Sequence, residues 1–282
     1  MRRLRLVLYA LFIIVAAVFG IDQYTRMKDR DKTAPVITDD LEYIEVSVGA
    51  SDADLLQGLH AEDNVDGDVT DSLLVVSRSK FLSRGLVKVN YAAFDSHNNV
   101  ATYTRRVRYV DYISPRFSAS QPFRYLNRSG YSVLTGVHAV DVFDGDITNR
   151  IRAITANSNI GTNVTLEVTN TAGDTASILI NLLADDSDSY NTPSPGLTTY
   201  IMYTSVGVEP ALRENIRGIW RNGKTTDFDQ MDEDAPYSSD MVMIDDSEVD
   251  YYTPGTYPVI YTLQSGGYSR GSSYMYLIVE EY

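Results

Sequence analysis

The sequence predicts an all-β protein, built of small two-sheet β-sandwich modules in tandem behind one N-terminal transmembrane helix. Three observations predict this. Residues that favour strands are abundant, above all tyrosine, which occurs 21 times. A sixteen-residue segment recurs along the chain, and one uncharged apolar run stands near the N-terminus.

The apolar run, residues 6–21 (LVLYALFIIVAAVFGI), predicts a membrane anchor. It holds sixteen residues without a charge, close to the ~17–25 residues of membrane-spanning helices. The arginines before it, Arg2, Arg3 and Arg5, favour a cytoplasmic N-terminus and an extracytoplasmic C-terminal region. We therefore expect a single-pass cell-membrane protein, with residues 1–32 as cytoplasmic stub, span and juxtamembrane linker. A cleaved signal peptide is the alternative, although no A-x-A cleavage site follows the run.

Composition excludes some partners and points to a compartment. The net charge is −14, although residues 1–32 hold seven basic residues against three acidic ones. The remainder is therefore strongly acidic, which argues against nucleic acid as a partner. The chain has no cysteine. Each module must therefore be held by its own core, a feature that favours a bacterial envelope protein over a disulfide-stapled secreted one.

The repeat defines the modules. LLQGLHAEDNVDGDVT (55–70) and VLTGVHAVDVFDGDIT (133–148) align without gaps and share nine of sixteen residues. An alternating strand, a turn and a second alternating strand follow in both copies, at 85–110 and 161–183, which predicts a hairpin with one buried face. Residues 254–281 have the same strand–turn–strand pattern, so we expect a third, divergent copy that lacks the Asp-Gly-Asp turn.

Proline-containing segments indicate where the modules begin. The predicted modules are module 1 (33–112), module 2 (113–186) and module 3 (195–282), with 187–194 as a linker.

These patterns resemble a known family. The TAPVI start (33–37), the G-x-x-A-x-D-x-x-DGD-[VI]-T pattern of both repeats, and the hairpin 85–101 are similar to bacterial Ig-like domains of the pesticidal-crystal-protein type. These domains occur as tandem copies in bacterial surface proteins. Module 2 departs from the pattern, because Asn170 and Thr171 stand where the family has an aspartate. The resemblance implies an Ig-like β-sandwich that acts as a spacer or binding module, without common catalytic residues.

The Asp-Gly-Asp turns are the candidate metal sites. Their closely spaced carboxylates are the oxygen ligands that calcium takes; they are Asp63, Asp66, Asp68, Asp141, Asp144 and Asp146. The alternative is that the aspartates cap the turn by accepting backbone N–H hydrogen bonds, while the glycine adopts a positive φ. No cofactor is otherwise predicted. The equivalent histidines His60 and His138 are expected to face outward, and His97 to be a loop residue.

Module 3 holds the candidate residues for binding a partner. Trp220, the only tryptophan, precedes an acidic stretch, 225–269, with ten carboxylates and no basic residue. Asp232, Glu233 and Asp234 are the acidic candidates. The alternatives are that Trp220 fills a sandwich core and that the acidic stretch is a solvated loop.

The predicted function is a non-enzymatic, membrane-anchored extracellular stalk of Ig-like modules for adhesion or envelope-protein assembly. No nucleophile elbow, phosphate-binding loop, zinc pattern or dinucleotide fingerprint is present in the sequence. The alternative is a carbohydrate-binding or accessory module of a cell-wall-active system. The expected partners are therefore the membrane, through the N-terminal helix, and a surface protein or a polysaccharide.

Overall fold

The computed structural model describes residues 2–28, 31–126, 132–158, 161–185, 187–232, 235–265 and 268–281. The chain divides into two compact units, Met1–Tyr112 and Ile113–Tyr282. The first unit contains the predicted anchor and module 1. The second contains predicted modules 2 and 3.

The first unit begins with helix α1, Arg2–Lys28. Every described side chain from Leu8 to Tyr24 on α1 is exposed. None of the described helices combines the length with the apolar character that crossing a bilayer requires.

Module 1 is a sandwich of a three-stranded and a four-stranded sheet. Its elements are β1 (Val36–Asp39), β2 (Tyr43–Val46), α2 (Asp52–Leu55), β3 (Leu59–Asp63), β4 (Gly67–Asp68), β5 (Leu74–Arg78), β6 (Leu86–Phe94) and β7 (Val100–Tyr109). The sheet orders are β1-β3-β4 and β2-β7-β6-β5, and all neighbours are antiparallel except β2 and β7. Val89, Tyr91 and Val107 from the larger sheet meet Leu59 and Ala61 from the smaller one in the core.

Local sequence explains the elements that flank the core. The single turn of α2 begins at a capping box, in which Ser51 and Asp54 each bind the other's backbone N–H. Along β3, strict alternation buries Leu59, Ala61 and Asp63 and exposes the residues between them.

Module 2 repeats the plan of module 1. Its strands are β8 (Arg116–Ala119), β9 (Arg124–Leu126), β10 (Val137–Asp141), β11 (Gly145–Asp146), β12 (Arg152–Ser158), β13 (Gly161–Thr169) and β14 (Thr175–Asp185). The sheet orders are β11-β10-β8 and β12-β13-β14-β9, with β9 parallel to β14.

Module 3 also has the same plan, although its sequence diverges. Its elements are α3 (Ser187–Asn191), β15 (Ser194–Leu197), β16 (Ile201–Ser205), β17 (Ile216–Arg221), β18 (Lys224–Asp227), β19 (Val242–Asp245), β20 (Gly255–Ser265) and β21 (Tyr268–Glu280). The sheet orders are β15-β17-β18 and β16-β21-β20-β19, with β16 parallel to β21. A tight turn through Asn222 and Gly223, with φ of 53° and 78°, joins β17 to β18 where the other modules have the Asp-Gly-Asp turn.

The structure confirms the predicted all-β sandwich architecture of the modules. It also shows a feature that the sequence did not predict, which is that modules 2 and 3 form one continuous core. The segment predicted as a linker, 187–194, instead holds α3 and the first residue of β15.

Candidate functional site

The Asp-Gly-Asp turns are built by one aspartate at the end of a strand. In module 1, Asp63 Oδ1 accepts hydrogen bonds from the backbone N–H groups of Val65 and Asp66, at 2.8 and 2.9 Å. Asp141 caps the equivalent turn of module 2 through Phe143 and Asp144, at 2.9 and 3.0 Å. The predicted capping role is therefore present in both turns.

The glycine of each turn adopts the positive φ that the sequence predicts. The φ angles are 72° at Gly67 and 68° at Gly145, a region that residues with a side chain rarely occupy.

Asp68 and Asp146 do not join the other aspartates. Asp68 pairs with Glu62 across the ladder, one position from Asp63, so strand alternation sends it to the opposite face. Hydrogen bonds from the hydroxyl and amide of Thr70 lower the pKa of Asp68. Thr148 has the same effect on Asp146. Their inclusion in a calcium site is a prediction that the structure corrects.

Asp95, from the turn between β6 and β7, is the third carboxylate of the module 1 cluster, in place of Asp68. One carboxylate oxygen each from Asp63, Asp66 and Asp95 lies within 4.8 Å of the others. Asp63 is 4% exposed and Asp95 is 7% exposed. Asp63 Oδ2 is buried and has no hydrogen-bond partner, an unusual state for a charged oxygen.

The hydrogen bonds at Asp95 favour its ionised carboxylate. Burial raises the pKa of Asp95, but hydrogen bonds from Asn99 and from the His97 amide outweigh burial and hold that pKa below its ordinary value. Asp66 accepts from both the amide and the hydroxyl of Ser96, at 2.8 and 2.9 Å. The cluster therefore concentrates negative charge around a buried acceptor.

Module 2 fills the equivalent position differently. Asn170 replaces Asp95, and its side-chain amide donates to Asp141 Oδ2 at 3.0 Å. Asp144 is held by Thr171, as Asp66 is by Ser96, and it also forms an ion pair with Arg150. Burial raises the pKa of Asp144, but Thr171 and Arg150 together lower it below its ordinary value. Every oxygen of this second cluster has a partner within the protein.

The histidines have local roles. His60 and His138 are exposed, as expected from alternation, and His60 Nε2 lies 3.2 Å from Asp40 Oδ2. The loop residue His97 approaches Asp31 and Asp95, with one ligand atom of each within 4.8 Å of the others.

Trp220, a candidate for binding a partner, lies inside the second unit. It is 4% exposed and packs edge-on against Tyr190 with ring centroids 5.0 Å apart. Among the described residues, the apolar core cluster of the second unit includes its neighbour Ile219 but not Trp220. Asp232 is exposed, and Glu233 and Asp234 lie outside the described residues.

Trp220 packs against a cation that joins modules 2 and 3. The Arg124 guanidinium lies 4.7 Å from the centre of the indole ring. It forms an ion pair with Asp185 at 2.5 Å and donates to the carbonyl of Ser189 and the hydroxyl of Ser194. Because these partners come from strands of both modules and from the segment between them, Arg124 links the two sandwiches.

A cavity of about 310 Å³ opens beside this junction. It lies between the outer face of β14 and the β20–β21 hairpin, and its lining includes Asn163, Asn181, Tyr274 and Tyr276. Burial raises the pKa of Tyr276 to about 12, so its phenol is neutral. The hydroxyl donates to the backbone carbonyl of Asn181 at 3.1 Å and accepts from the backbone N–H of Asn181 at 2.6 Å. The side-chain oxygen of Asn181 is a buried acceptor without a partner.

Sequence reasoning missed Asp95, Asn170 and Arg124. A signal existed for the first two, because Asn170 was noted as a departure from an aspartate in the family pattern. The third had none, since its hydrogen-bond partners are at least 61 residues away along the chain.

Comparisons with known proteins give no family. No family profile and no curated protein matches the sequence. Among solved structures, CBM51-2 with the INT domains of ZmpB from Clostridium perfringens, in complex with GlcNAc, is 17% identical at a TM-score of 0.22. That match covers 48% of this chain and 30% of the other.

Two further structures match at a similar level. The lipoprotein BT2262 from Bacteroides thetaiotaomicron is 14% identical, with 86% of this chain and 98% of the other covered at a TM-score of 0.20. The protocadherin gammaB7 EC3-6 cis-dimer is 10% identical, with 88% and 74% covered at a TM-score of 0.19. Likenesses at these TM-scores carry no inference about function.

Proposed function

We propose that this protein is a non-enzymatic, membrane-anchored stalk that presents residues 113–282 as one stiff unit outside the cytoplasm, for adhesion or envelope-protein assembly. The observation that carries the proposal is the continuous core of modules 2 and 3. Because the core is shared, a force that a bound partner applies to either module is transmitted to the other. Such a unit suits a structural role better than the turnover of a substrate.

The junction supports this stiffness through partly buried polar contacts as well as apolar packing. Phe117 of module 2 donates its backbone N–H to the Tyr203 hydroxyl at 2.8 Å, and Arg116 pairs with Glu280. Because hinge motion would expose these groups and break their hydrogen bonds, it would be energetically costly.

Membrane attachment through α1 is part of the same proposal. The uncharged run 6–21 follows three arginines, and the described side chains from Leu8 to Tyr24 are exposed rather than packed on module 1. Lipid would cover these apolar side chains, and the arginines would remain cytoplasmic.

Cysteine labelling tests the topology, since the chain has no cysteine of its own. Ser247 is exposed, and we expect Ser247→Cys to react with a membrane-impermeant maleimide on intact spheroplasts. Leu4→Cys is the control and should react only after permeabilisation. Labelling of Ser247→Cys only after lysis would overturn the proposed orientation. Release of the protein into the medium would instead show a cleaved signal peptide.

A second experiment tests the presenting role. Cells that express the chain are compared, in cell aggregation and in cross-linking to envelope proteins, with cells expressing a chain that ends at the unit boundary, residue 112. We expect the shortened chain to be displayed but to lose both responses. Full retention of both would overturn the presenting role of the second unit.

A second candidate function is recognition of a polysaccharide, favoured by the cavity beside the junction. Tyr274 offers an aromatic face and Asn181 a buried acceptor without a partner, and sugars are bound by such faces and by hydrogen bonds to their hydroxyls. Binding of the full chain to cell-wall polysaccharides should then be lost in Tyr274→Ala and kept in Tyr252→Ala, a variant at an exposed tyrosine away from the cavity lining. Equal binding by both variants would exclude this cavity as the site.

A further inference from the structure

We propose that module 1 binds a divalent cation, Ca²⁺, between Asp63, Asp66 and Asp95. Their carboxylate oxygens converge within 4.8 Å. Asp63 Oδ2 is the second observation, because it is buried in a residue only 4% exposed and has no hydrogen-bond donor. A buried anionic oxygen is normally paired, and a bound cation would pair this one.

In module 2, the equivalent turn satisfies its carboxylates with partners from the protein itself. There the position of Asp95 holds Asn170, whose amide donates to Asp141 Oδ2 at 3.0 Å. Arg150 adds a positive charge beside Asp144, whereas the aligned residue of module 1 is Ser72. Module 2 thus supplies from its own side chains the donor and the positive charge that module 1 lacks.

The donor set selects the ion. Three carboxylates are hard oxygen ligands, and Ca²⁺ takes six to eight oxygens in flexible geometry, including carbonyls and water. Mg²⁺ demands a near-ideal octahedron and keeps its waters, so we expect it to bind more weakly. Asp31 Oδ2, also buried and without a hydrogen-bond partner, belongs to a neighbouring group with Asp95 and His97 rather than to the proposed site.

The test titrates the full chain, in detergent micelles, with CaCl₂ and then MgCl₂ after EDTA treatment. We expect one calcium site by calorimetry, with a Kd on the order of 10⁻⁴ to 10⁻³ M, as in extracellular modules. At tenfold Kd, hydrogen exchange of the amides at 63–70 and 94–99 should slow about tenfold. The fluorescence of Trp220, in the second unit, should not change.

Asp95→Asn gives module 1 the amide that module 2 has. This substitution should abolish calcium binding. In EDTA, the backbone amides of the turn should exchange hydrogen more slowly than in the wild type, because the new side-chain amide donates to Asp63 Oδ2. A variant that binds no metal yet is more stable cannot be explained by misfolding.

The reciprocal variant transfers the site to module 2. Asn170→Asp with Arg150→Ser removes the internal donor and cation, and we expect a second calcium site by calorimetry. Asn170→Asp alone, with Arg150 retained, is the matched control and should bind much more weakly.

Two results would overturn the proposal. One is the absence of any calcium response in the wild type. The other is a calcium response that Asp95→Asn leaves intact, which would place the ion elsewhere.

Discussion

At the scale of single residues, a buried cation organises the core of module 1. Arg105 is 1% exposed and pairs with the equally enclosed Asp39 at 3.0 Å. It also donates to the backbone carbonyls of Leu55 and Gln57, at 2.5 and 2.8 Å. These bonds tie the last residue of α2 and the segment after it to strand β7.

Loss of this cation should strongly destabilise the first unit. Arg105→Met leaves the buried Asp39 without its counter-ion and two carbonyls without this donor, and we expect a loss of about 3–5 kcal/mol in the free energy of unfolding. Arg106→Met, at the adjacent exposed position, should change stability by less than about 0.5 kcal/mol. Urea unfolding followed by tyrosine circular dichroism measures both. Equal effects would contradict the role of Arg105.

The alternation along strand β7 indicates that Arg105 is buried. Arg105 falls on the apolar side of an alternating strand, in line with Val107 and Tyr109, where a solvated side chain is not expected. Its partner Asp39 stands 66 positions earlier. Alternation can therefore flag a buried charge, but it does not identify the residue that pairs with it.

Asp144 gives the second unit a predictable dependence on pH. Its pKa is lower folded than its ordinary value of 3.8. Its stabilising contribution is therefore present above the unfolded pKa and is lost as the pH falls through the lower, folded pKa. We expect the free energy of unfolding to decrease between about pH 5 and pH 3, and less steeply in Asp144→Asn. Urea titrations read by Trp220 fluorescence test this. An identical slope in the variant would contradict it.

At the scale of elements, the strand plan persists where its sequence marker is lost. The shared Asp-Gly-Asp segment and the hairpin after it predict modules 1 and 2, whereas module 3 lacks that segment. The structure has the same two sheet orders in all three. Alternation and tight turns determine this plan, and the Asn222–Gly223 turn serves as well as the aspartate turn. The aspartates therefore have another use, which is the capping and the charge cluster described above.

Two glycines of the second unit should respond differently to alanine. A Cβ at Gly145 would meet nothing within 4 Å. Gly145→Ala should therefore lower the free energy of unfolding only by the cost of placing alanine at a positive φ, roughly 1–2 kcal/mol. A Cβ at Gly218 would lie 2.0 Å from the Thr226 carbonyl oxygen, and Gly218→Ala must separate β17 from β18. We expect the second variant to be clearly less stable in thermal unfolding. The opposite order would contradict the close approach of these strands.

At the scale of the whole molecule, the structure replaces an expected linker with a shared core. The sequence predicts three modules in a row, with 187–194 as a linker. Contacts such as Tyr276 with Asn181 and Arg124 with Trp220 join residues 95 or 96 positions apart, and local periodicity carries no record of them. The sandwich plan was therefore predictable, but the fusion of two sandwiches was not.

Arg124 should couple the two halves of the second unit. Arg124→Ala removes the ion pair with Asp185 and the cation over Trp220, and we expect a loss of about 2–4 kcal/mol with a red shift of tryptophan emission. Arg152→Ala, at an exposed position of the same unit, is the control and should show neither change. Unchanged emission in Arg124→Ala would place the indole in contacts other than those seen here.

The parallel pairing of the second and last strands gives each module a direction of mechanical strength. Tension between the start of one strand and the end of the other slides the two past each other, so their hydrogen bonds carry the load together rather than one after another. Within the part of the chain that the structure describes, the paired lengths are four residues in module 1, three in module 2 and five in module 3. When full chains are pulled from both ends, the described pairing in module 2 should therefore be the first of the three to rupture, and the second unit would then lengthen the tether.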